Sequence, residues 1–581
     1  MFQYSRKKKL LFLLVLIFAL LVVFVKILSL EKILQTKLDT FKKLPNQNSR
    51  NTQRNAESER NSFGENGTAV YLTDQAEIKA NQLLYEKSGV YAIVSNKISI
   101  NRTIPDTRPL QCLAQKYSLV DPKVSIIIIF HNEVFSILKR TLHSIWNRTP
   151  HRMIHEIILV NDASSEDELF EPLNRYVAEN FGAIVKIKHL EKRKGLIVTR
   201  LEGARIATGD ILVFFDSHVE VNYDWLQPLI APITLNRKIA TVPVVDDFSS
   251  KTFEYFGMLP TRGAFDWTFT FKELPLRAFE ENSIEPFKVP VMLGCAFAID
   301  RKFFLYDLGG YDEGLEIWNG EQLELSFKLH LCAEGLFKVP CSHVGHTFRD
   351  INPTRVQDYD FVAKNFKRIA EVWLDEFKEI LYAREPDRYV EIDAGDLSIP
   401  QKIHERLNCK PFKEFLKIAP DMIERYPPFY QVPVFASGAI KSLAGEGNLC
   451  LSGNHELEDP LTLKKCSSNL IEPKKNQNFA LTFFKQIAQV WNDYCLDSKN
   501  LSLMDCHYDG GNQFWRFEPD SGIIRNKYED GNFCIGANVT SKSIFMAKCD
   551  EDEDNQKWQF GFLNETAMID WDEINGFATF L

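Results

Sequence analysis

Four short apolar runs recur between about residues 121 and 229: 124–130 (VSIIIIF), 156–160 (EIILV), 184–188 and 211–215. Segments 136–146 and 165–180, which lie between them, carry helical spacing. β-branched runs alternating with helix-length segments fold as a doubly wound, Rossmann-like α/β layer whose strands are parallel. In such a sheet the carboxyl ends of the strands line one crevice, where ligands bind. Here those ends carry His131-Asn132-Glu133, Asn161-Asp162 and Asp216-Ser217-His218. No Gly-x-Gly-x-x-Gly follows the first run, which disfavours a dinucleotide site.

Asp216 and His218 are two positions apart, so on a strand both side chains point to one side. A carboxylate and a neutral imidazole suit a borderline divalent ion such as Mn²⁺. An isolated Asp-x-His is equally compatible with a solvated turn, so a metal site needs a third ligand from elsewhere.

With 581 residues the chain exceeds what one hydrophobic core serves, and its texture changes near Ser437. Cysteine units recur from there: Cys450 with Cys466, Cys495 with Cys506, and Cys534 with Cys549. Each is followed by an Asn-Gln pair, at 476–477, 512–513 and 555–556, and the last two pairs lead to Trp515 and Trp558. Three copies of one unit imply a pseudo-threefold β-trefoil rather than one irregular disulfide-rich domain.

At the other end, Arg6-Lys7-Lys8-Lys9 precedes sixteen uncharged residues, Leu10 to Val25. With Lys26 snorkelling, residues 10–30 reach the roughly 20 needed to span a bilayer. The basic flank keeps residues 1–9 cytosolic and the remainder lumenal. A cleaved signal peptide would have a shorter apolar region ending on small residues, which are missing. Residues 31–97, rich in Asn, Gln, Lys, Glu and Ser, read as a flexible stem. Sequons at Asn66, Asn101, Asn147, Asn500, Asn538 and Asn564 agree with a lumenal chain. Eleven cysteines in an oxidising compartment predict bridges with one thiol left over. A net charge of -9 without a basic face argues against nucleic acid as a partner.

Ile104-Pro-Asp-Thr-Arg108, Phe130-His-Asn-Glu133, Gly195-Leu-Ile197, Asp216-Ser-His218, Phe265-Asp-Trp267, the stretch from Asp312 to Glu324 and Val344-Gly-His-Thr-Phe-Arg349 together resemble the polypeptide N-acetylgalactosaminyltransferases. The resemblance runs from Ile104 to Trp558. It implies a glycosyltransferase-A catalytic domain (98–384), a linker (385–436) and a ricin-type lectin domain (437–581) on a single-pass type II anchor in the Golgi membrane. The implied reaction transfers N-acetylgalactosamine (GalNAc) from UDP-GalNAc to Ser or Thr hydroxyls of a polypeptide or GalNAc-glycopeptide, with retention of configuration. No protein nucleophile is required, since the leaving phosphate can take the hydroxyl proton on the same face.

By the same resemblance, Mn²⁺ is held by Asp216, His218 and His346. His131, Asp162, Arg193, Asp216 and Ser217 hold the nucleotide, Trp318 and Glu321 line the sugar and acceptor pocket, and Glu321, Trp318 and Arg349 are the catalytic residues. Read alone, Asp162 is as well a helix cap, Arg193 a surface charge, Trp318 a packing aromatic and Glu321 a solvated carboxylate. The implied bridges are Cys112–Cys341, Cys332–Cys409 and one within each trefoil unit, leaving Cys295 free. Asp497 and Asn512, with Tyr508 stacking on a sugar ring, form the only complete lectin site. The first repeat has Ser452 and the third Gly536 where the carboxylate belongs; the other reading of Asp497 is a turn residue in a packing domain.

Several positions depart from the family pattern. Trp-Gly-Gly-Glu-Asn stands as Trp318-Asn319-Gly320-Glu321-Gln322, Val291 replaces a threonine, and Cys295 replaces a glycine expected beside the sugar. The segment after Arg349 is shorter, with Asn352 and Thr354 in place of a histidine and a tyrosine. Two functions therefore stay open: a transferase with altered preference, and a lumenal nucleotide- or glycopeptide-binding protein that transfers poorly.

Overall fold

The computed structural model describes residues 63–117, 122–349, 359–426, 434–445, 448–453, 460–490, 494–506, 511–526 and 532–565. The expected anchor, Asn352, Thr354 and Tyr508 lie outside the described residues, among which no helix is long and apolar enough to cross a membrane.

Four strands, β1 (Val124–Phe130), β2 (Ile154–Asn161), β3 (Val185–His189) and β4 (Ile211–Asp216), run parallel in the order β3-β2-β1-β4. Every residue of β1 is buried, as an unbroken apolar run requires when helices cover both faces. A short β5 (Val219–Val221) follows β4, and β6 (Ile239–Phe248) lies further along the sheet. Beyond β4 the sheet is mixed, which corrects the wholly parallel expectation. Strand Ala296–Asp300 is antiparallel to both β4 and β6. It begins at the carboxyl edge, with Ala296 opposite Phe215 near the end of β4, and runs back across the sheet. Strand Gly335–His346 then pairs parallel to β6 and delivers His346 to that same edge.

Register aligns the strand ends. Ile129 faces Asp216 and Phe130 faces Asn161, while His346 lies opposite Val219. The polar residues that follow each run therefore share one rim.

Two boundaries differ from expectation. From Phe63 onward the supposed stem is folded: helices Gln75–Ser88 and Ala92–Lys97 lead into a cluster in which Val70, Val90, Val94 and Ile98 pack with Ile137, Phe248 and Phe253. Arg102 and Arg140 both bond Glu220, with all three side chains at most 2% exposed. The apolar residues of 63–97 are scattered among polar ones, and a handful of buried contacts carries the docking. The supposed linker is likewise part of the core, since Tyr389, Phe412, Phe415, Met422 and Tyr426 are buried in the cluster that holds Trp267 and Phe327.

The trefoil forms from Val434 on. In each repeat the Gln of the Asn-Gln pair donates its amide to the carbonyl just before the second cysteine: Gln477 to Lys465 at 2.9 Å, Gln513 to Asp505 at 3.0 Å, and Gln556 to Lys548 at 2.9 Å. Trp515 and Trp558 donate to the carbonyls of Leu496 and Ile535, each the residue directly after the first cysteine of its pair. The repeated Gln thus satisfies a buried carbonyl, which explains its recurrence. The structure closes the bridges Cys112–Cys341, Cys332–Cys409, Cys450–Cys466, Cys495–Cys506 and Cys534–Cys549, and leaves Cys295 free and buried.

Candidate active site and metal centre

A cleft of about 1200 Å³ opens along the carboxyl rim. His131, Asp162, Arg193, Asp216, Ser217, His218, Trp318, Glu321, His346 and Arg349 all line it. At its centre one ligand atom each of Asp216, His218 and His346 lies within 4.8 Å of the others. His346 Nε2 is 3.3 Å from Asp216 Oδ2, and the two imidazole rings are 4.8 Å apart.

Protonation suits a cation there. Burial works against the Asp216 charge, but His346 and the Arg200 guanidinium outweigh it and hold the carboxyl down at about 2. Burial, helped by the Arg349 charge, lowers His218 and keeps its imidazole neutral. His218 Nδ1 lies 2.8 Å from Glu133 Oε2, which accepts its proton and leaves Nε2 free as a ligand. Arg349 is 2.9 Å from the same nitrogen but cannot donate to a protonated Nδ1; its anchor is Glu133, at 2.6 and 2.8 Å. Ser217 Oγ donates to Glu133 as well.

Glu133 was not among the expected site residues. Its signal was its place in Phe130-His-Asn-Glu133, one turn of chain past β1. Arg200 was also missed; it donates to Asp216 Oδ1 at 2.9 Å and to the Gly294 carbonyl at 2.7 Å, and it reaches Glu321 Oε1 at 3.4 Å.

At the end of the cleft where the sequence expects the nucleotide, His131 Nδ1 donates to the Asp162 carbonyl at 2.7 Å. Burial lowers the His131 pKa, so the ring is neutral. The Asp162 carboxylate accepts from the amides of Lys194 and Gly195 at 2.7 and 2.8 Å, ahead of helix Leu196–Ile206. It caps no N–H of that helix's first turn, and instead fixes the turn that carries Arg193 ahead of it. Gly195 explains its own motif: a Cβ there would lie 2.3 Å from the Ile317 Cα.

The departures divide in two. Val291 is 1% exposed within the core and does not line the cleft, so its missing hydroxyl does not face the site. Cys295 borders the cleft yet is 6% exposed and belongs to the core layer with Phe215 and Val344. Asn319 and Gln322 do line the cleft, and they bond each other, Gln322 Nε2 donating to Asn319 Oδ1 at 3.0 Å while its Oε1 accepts from Gly320 N at 3.0 Å. Asn319 holds φ at 75°, a left-handed conformation that asparagine tolerates better than most residues. Arg193 Nε, Arg349 Nε, Glu321 Oε2 and Thr347 Oγ1 are buried without a hydrogen-bond partner among the described residues. An unmatched buried polar group costs about 1–3 kcal/mol, so a polar ligand in the cleft is stabilised by matching them.

In the trefoil, Asp497 is buried and its carboxylate takes the Asn512 amide and the Lys499 N–H. Ser452 takes the Asn476 amide at 2.9 Å in the first repeat. In the third, a Cβ on Gly536 would meet the Phe545 ring at 2.5 Å, so that position is filled by an aromatic side chain.

Two family models match the chain: glycosyl transferase family 2 over residues 125–305, and the ricin-type β-trefoil lectin domain over 436–558. N-acetylgalactosaminyltransferase 4 of Drosophila melanogaster is 39% identical over 523 residues, 87% of this chain and 80% of its own. Human polypeptide N-acetylgalactosaminyltransferase 10 is 39% identical over 521 residues, 87% of this chain and 84% of its own. Among solved structures, that of GalNAc-T7 with UDP, GalNAc and Mn²⁺ superposes with a TM-score of 0.63 at 32% identity, over 87% of this chain and 94% of its own.

Proposed function

The chain belongs to the polypeptide N-acetylgalactosaminyltransferase family, and from that membership we propose that it transfers GalNAc from UDP-GalNAc to Ser or Thr hydroxyls of polypeptides with retention of configuration. The observation that carries this reading is the meeting of Asp216, His218 and His346, brought from two strand ends 130 residues apart, beside the nucleotide and sugar residues in one cleft. The donor set of one ionised carboxylate and two imidazoles fits Mn²⁺. Bound there, the ion would neutralise a diphosphate leaving group.

The chain's own residues do the rest. Glu133 fixes the His218 tautomer and Arg349 together. His131 and the Asp162-held turn frame the uridine end, with Arg193 beside the phosphates. Arg200 holds Asp216 firmly at 2.9 Å and reaches the sugar-facing Glu321 only at 3.4 Å, so one guanidinium neutralises both carboxylates. Glu321 Oε2, free and buried, is available to a sugar hydroxyl, and Trp318, 40% exposed, offers a face to the sugar or acceptor. With the acceptor hydroxyl positioned, its proton passes to the departing phosphate oxygen, and positioning supplies much of the rate.

We place the catalytic part in the Golgi lumen on the anchor at 10–30, and we read Asp497 with Asn512 as the trefoil's one GalNAc site, the third being filled by Phe545. The test is incubation of the purified chain with UDP-GalNAc, Mn²⁺ and Thr-rich peptides, with and without a GalNAc already attached. A mass gain of one N-acetylhexosamine that is lost in Asp216→Asn is expected. Tight Mn²⁺-dependent UDP binding without transfer to either acceptor would favour the binding-protein reading, which the inward-turned Gln322 amide supports.

A further inference from the structure

We propose that Asn365, which lies outside the cleft, is the positioning residue that sets Trp318 and Glu321 for the sugar; the inference rests on the donor-site reading above. Asn365 sits on helix Phe361–Trp373 and is wholly buried. Its Nδ2 donates to the carbonyls of Glu316 at 2.8 Å, Asn319 at 2.8 Å and Trp318 at 3.3 Å, and its Oδ1 accepts from Glu316 N at 2.8 Å. The remaining carbonyl of this stretch, that of Ile317, accepts from Leu196 N at 2.7 Å. One amide thus gathers three carbonyls of a four-residue turn.

That turn would not hold its shape unaided. Ile317, Asn319 and Gly320 have φ of 52°, 75° and 100°. A β-branched residue in the left-handed region is strained by about 1–3 kcal/mol and persists only where its surroundings over-determine it. The helix approaches closely enough that a Cβ on Gly320 would lie 2.8 Å from Ile369 Cδ1 and 3.4 Å from Asn365 Cβ. From the other side the backbone of Gly195 presses on Ile317. Trp318 projects from the middle of the turn, and Glu321 is the first residue of the helix that follows it. Released from Asn365, the turn can relax, and both side chains shift while the nucleotide end, fixed by Asp162, stays put.

A misplacement of about 1 Å costs on the order of 100-fold in rate. The test uses the full-length chain in detergent, titrated with UDP and with UDP-GalNAc in Mn²⁺, alongside transfer kinetics. Asn365→Ala is expected to keep UDP affinity within about twofold, to lose the extra affinity that the sugar confers, and to drop kcat about 100-fold. In a Trp318→Ala background the same substitution should have less effect on the sugar increment, because one of its two targets is already gone. UDP affinity falling in step, an unchanged kcat and sugar increment, or full additivity with Trp318→Ala would each overturn the proposal. Should Asn365→Ala not fold, Asn365→Ser replaces it, and failure of both to fold overturns the positioning role in favour of a purely structural one. Sugar-dependent binding in a wild type that transfers nothing would sink the functional reading alone, and Asn365 is then judged on the sugar increment.

Discussion

Glu220→Gln tests the claim that residues from Phe63 onward are built into the catalytic unit. Glu220 lies on β5 two residues past His218, and its carboxylate meets Arg102 at 2.8, 3.0 and 3.1 Å and Arg140 at 3.1 Å. Arg140 in turn donates to Ser95 Oγ at 2.7 Å, so the triad joins the segment before Ile98 to the strand beside the metal ligands. Two guanidiniums share one carboxylate with almost no solvent. Burial alone would raise the Glu220 pKa, but the two arginines overcome it and hold it below the usual range. A neutral amide leaves two buried cations facing each other, and removing one partner of a buried pair costs about 3–5 kcal/mol. With an m-value of about 3–5 kcal/mol/M for a unit of this size, the urea midpoint of a chain starting at Phe63 should fall by about 1 M. Arg102→Met should cost less than half as much, since it leaves Arg140 and Glu220 balanced one to one. Because the folded pKa of Glu220 is depressed, the wild type's advantage exists above the unfolded carboxylate range and shrinks as pH falls through the folded value. A chain starting at residue 98 should be destabilised as well. A midpoint shift below about 0.3 M in Glu220→Gln, together with equal stability of the two truncations, would refute the argument and return residues 63–97 to a stem.

Glu133→Gln should weaken Mn²⁺ binding by about 10- to 100-fold without removing a ligand, read by titration of Mn²⁺ against the chain with UDP; unchanged affinity would disconnect Glu133 from the site. The buried Cys295 thiol, raised by burial and then by the Asp216 charge, should resist iodoacetamide in the native chain and react once urea is added, as mass spectrometry of the peptide would show. His330 is pushed down to about 4 by burial, with its Nε2 held by the Val289 carbonyl, so the native state binds fewer protons than the unfolded one between that value and about 6.5. Stability should therefore fall by about 3 kcal/mol as pH drops across that window, and His330→Gln should flatten the slope. In the trefoil, Asp497→His should abolish binding of a GalNAc-glycopeptide while Ser452→Ala leaves it intact; two equivalent sites by titration would defeat the single-site reading.

What the sequence disclosed follows from the range of the interactions involved. β1 and β4 were legible because burial on both faces demands a continuous apolar run, and the polar residue ending each run marks the rim. The meeting of His346 with Asp216 was legible only through a motif, because no local periodicity relates residues 130 positions apart. Glu133 and Arg200 escaped for a different reason: each acts by touching another functional residue, and a carboxylate after a strand or an arginine inside a helix carries no local mark of that. The N-terminal segment was misread because its docking depends on Val90, Val94, Ile98 and Arg102 rather than on a continuous apolar face, so composition pointed to a stem where contacts make a fold. Val291 shows the converse, a departure from the family pattern that the fold turns into the core and away from the cleft. Asn319 and Gln322 carry the distinction furthest, since each reads alone as damage to a sugar pocket, yet they bond each other across the entry to the helix. A pair of departures that satisfy one another keeps the loop closed at the cost of a free amide, so its consequence falls on which sugar or acceptor the cleft accepts before it falls on whether the cleft forms.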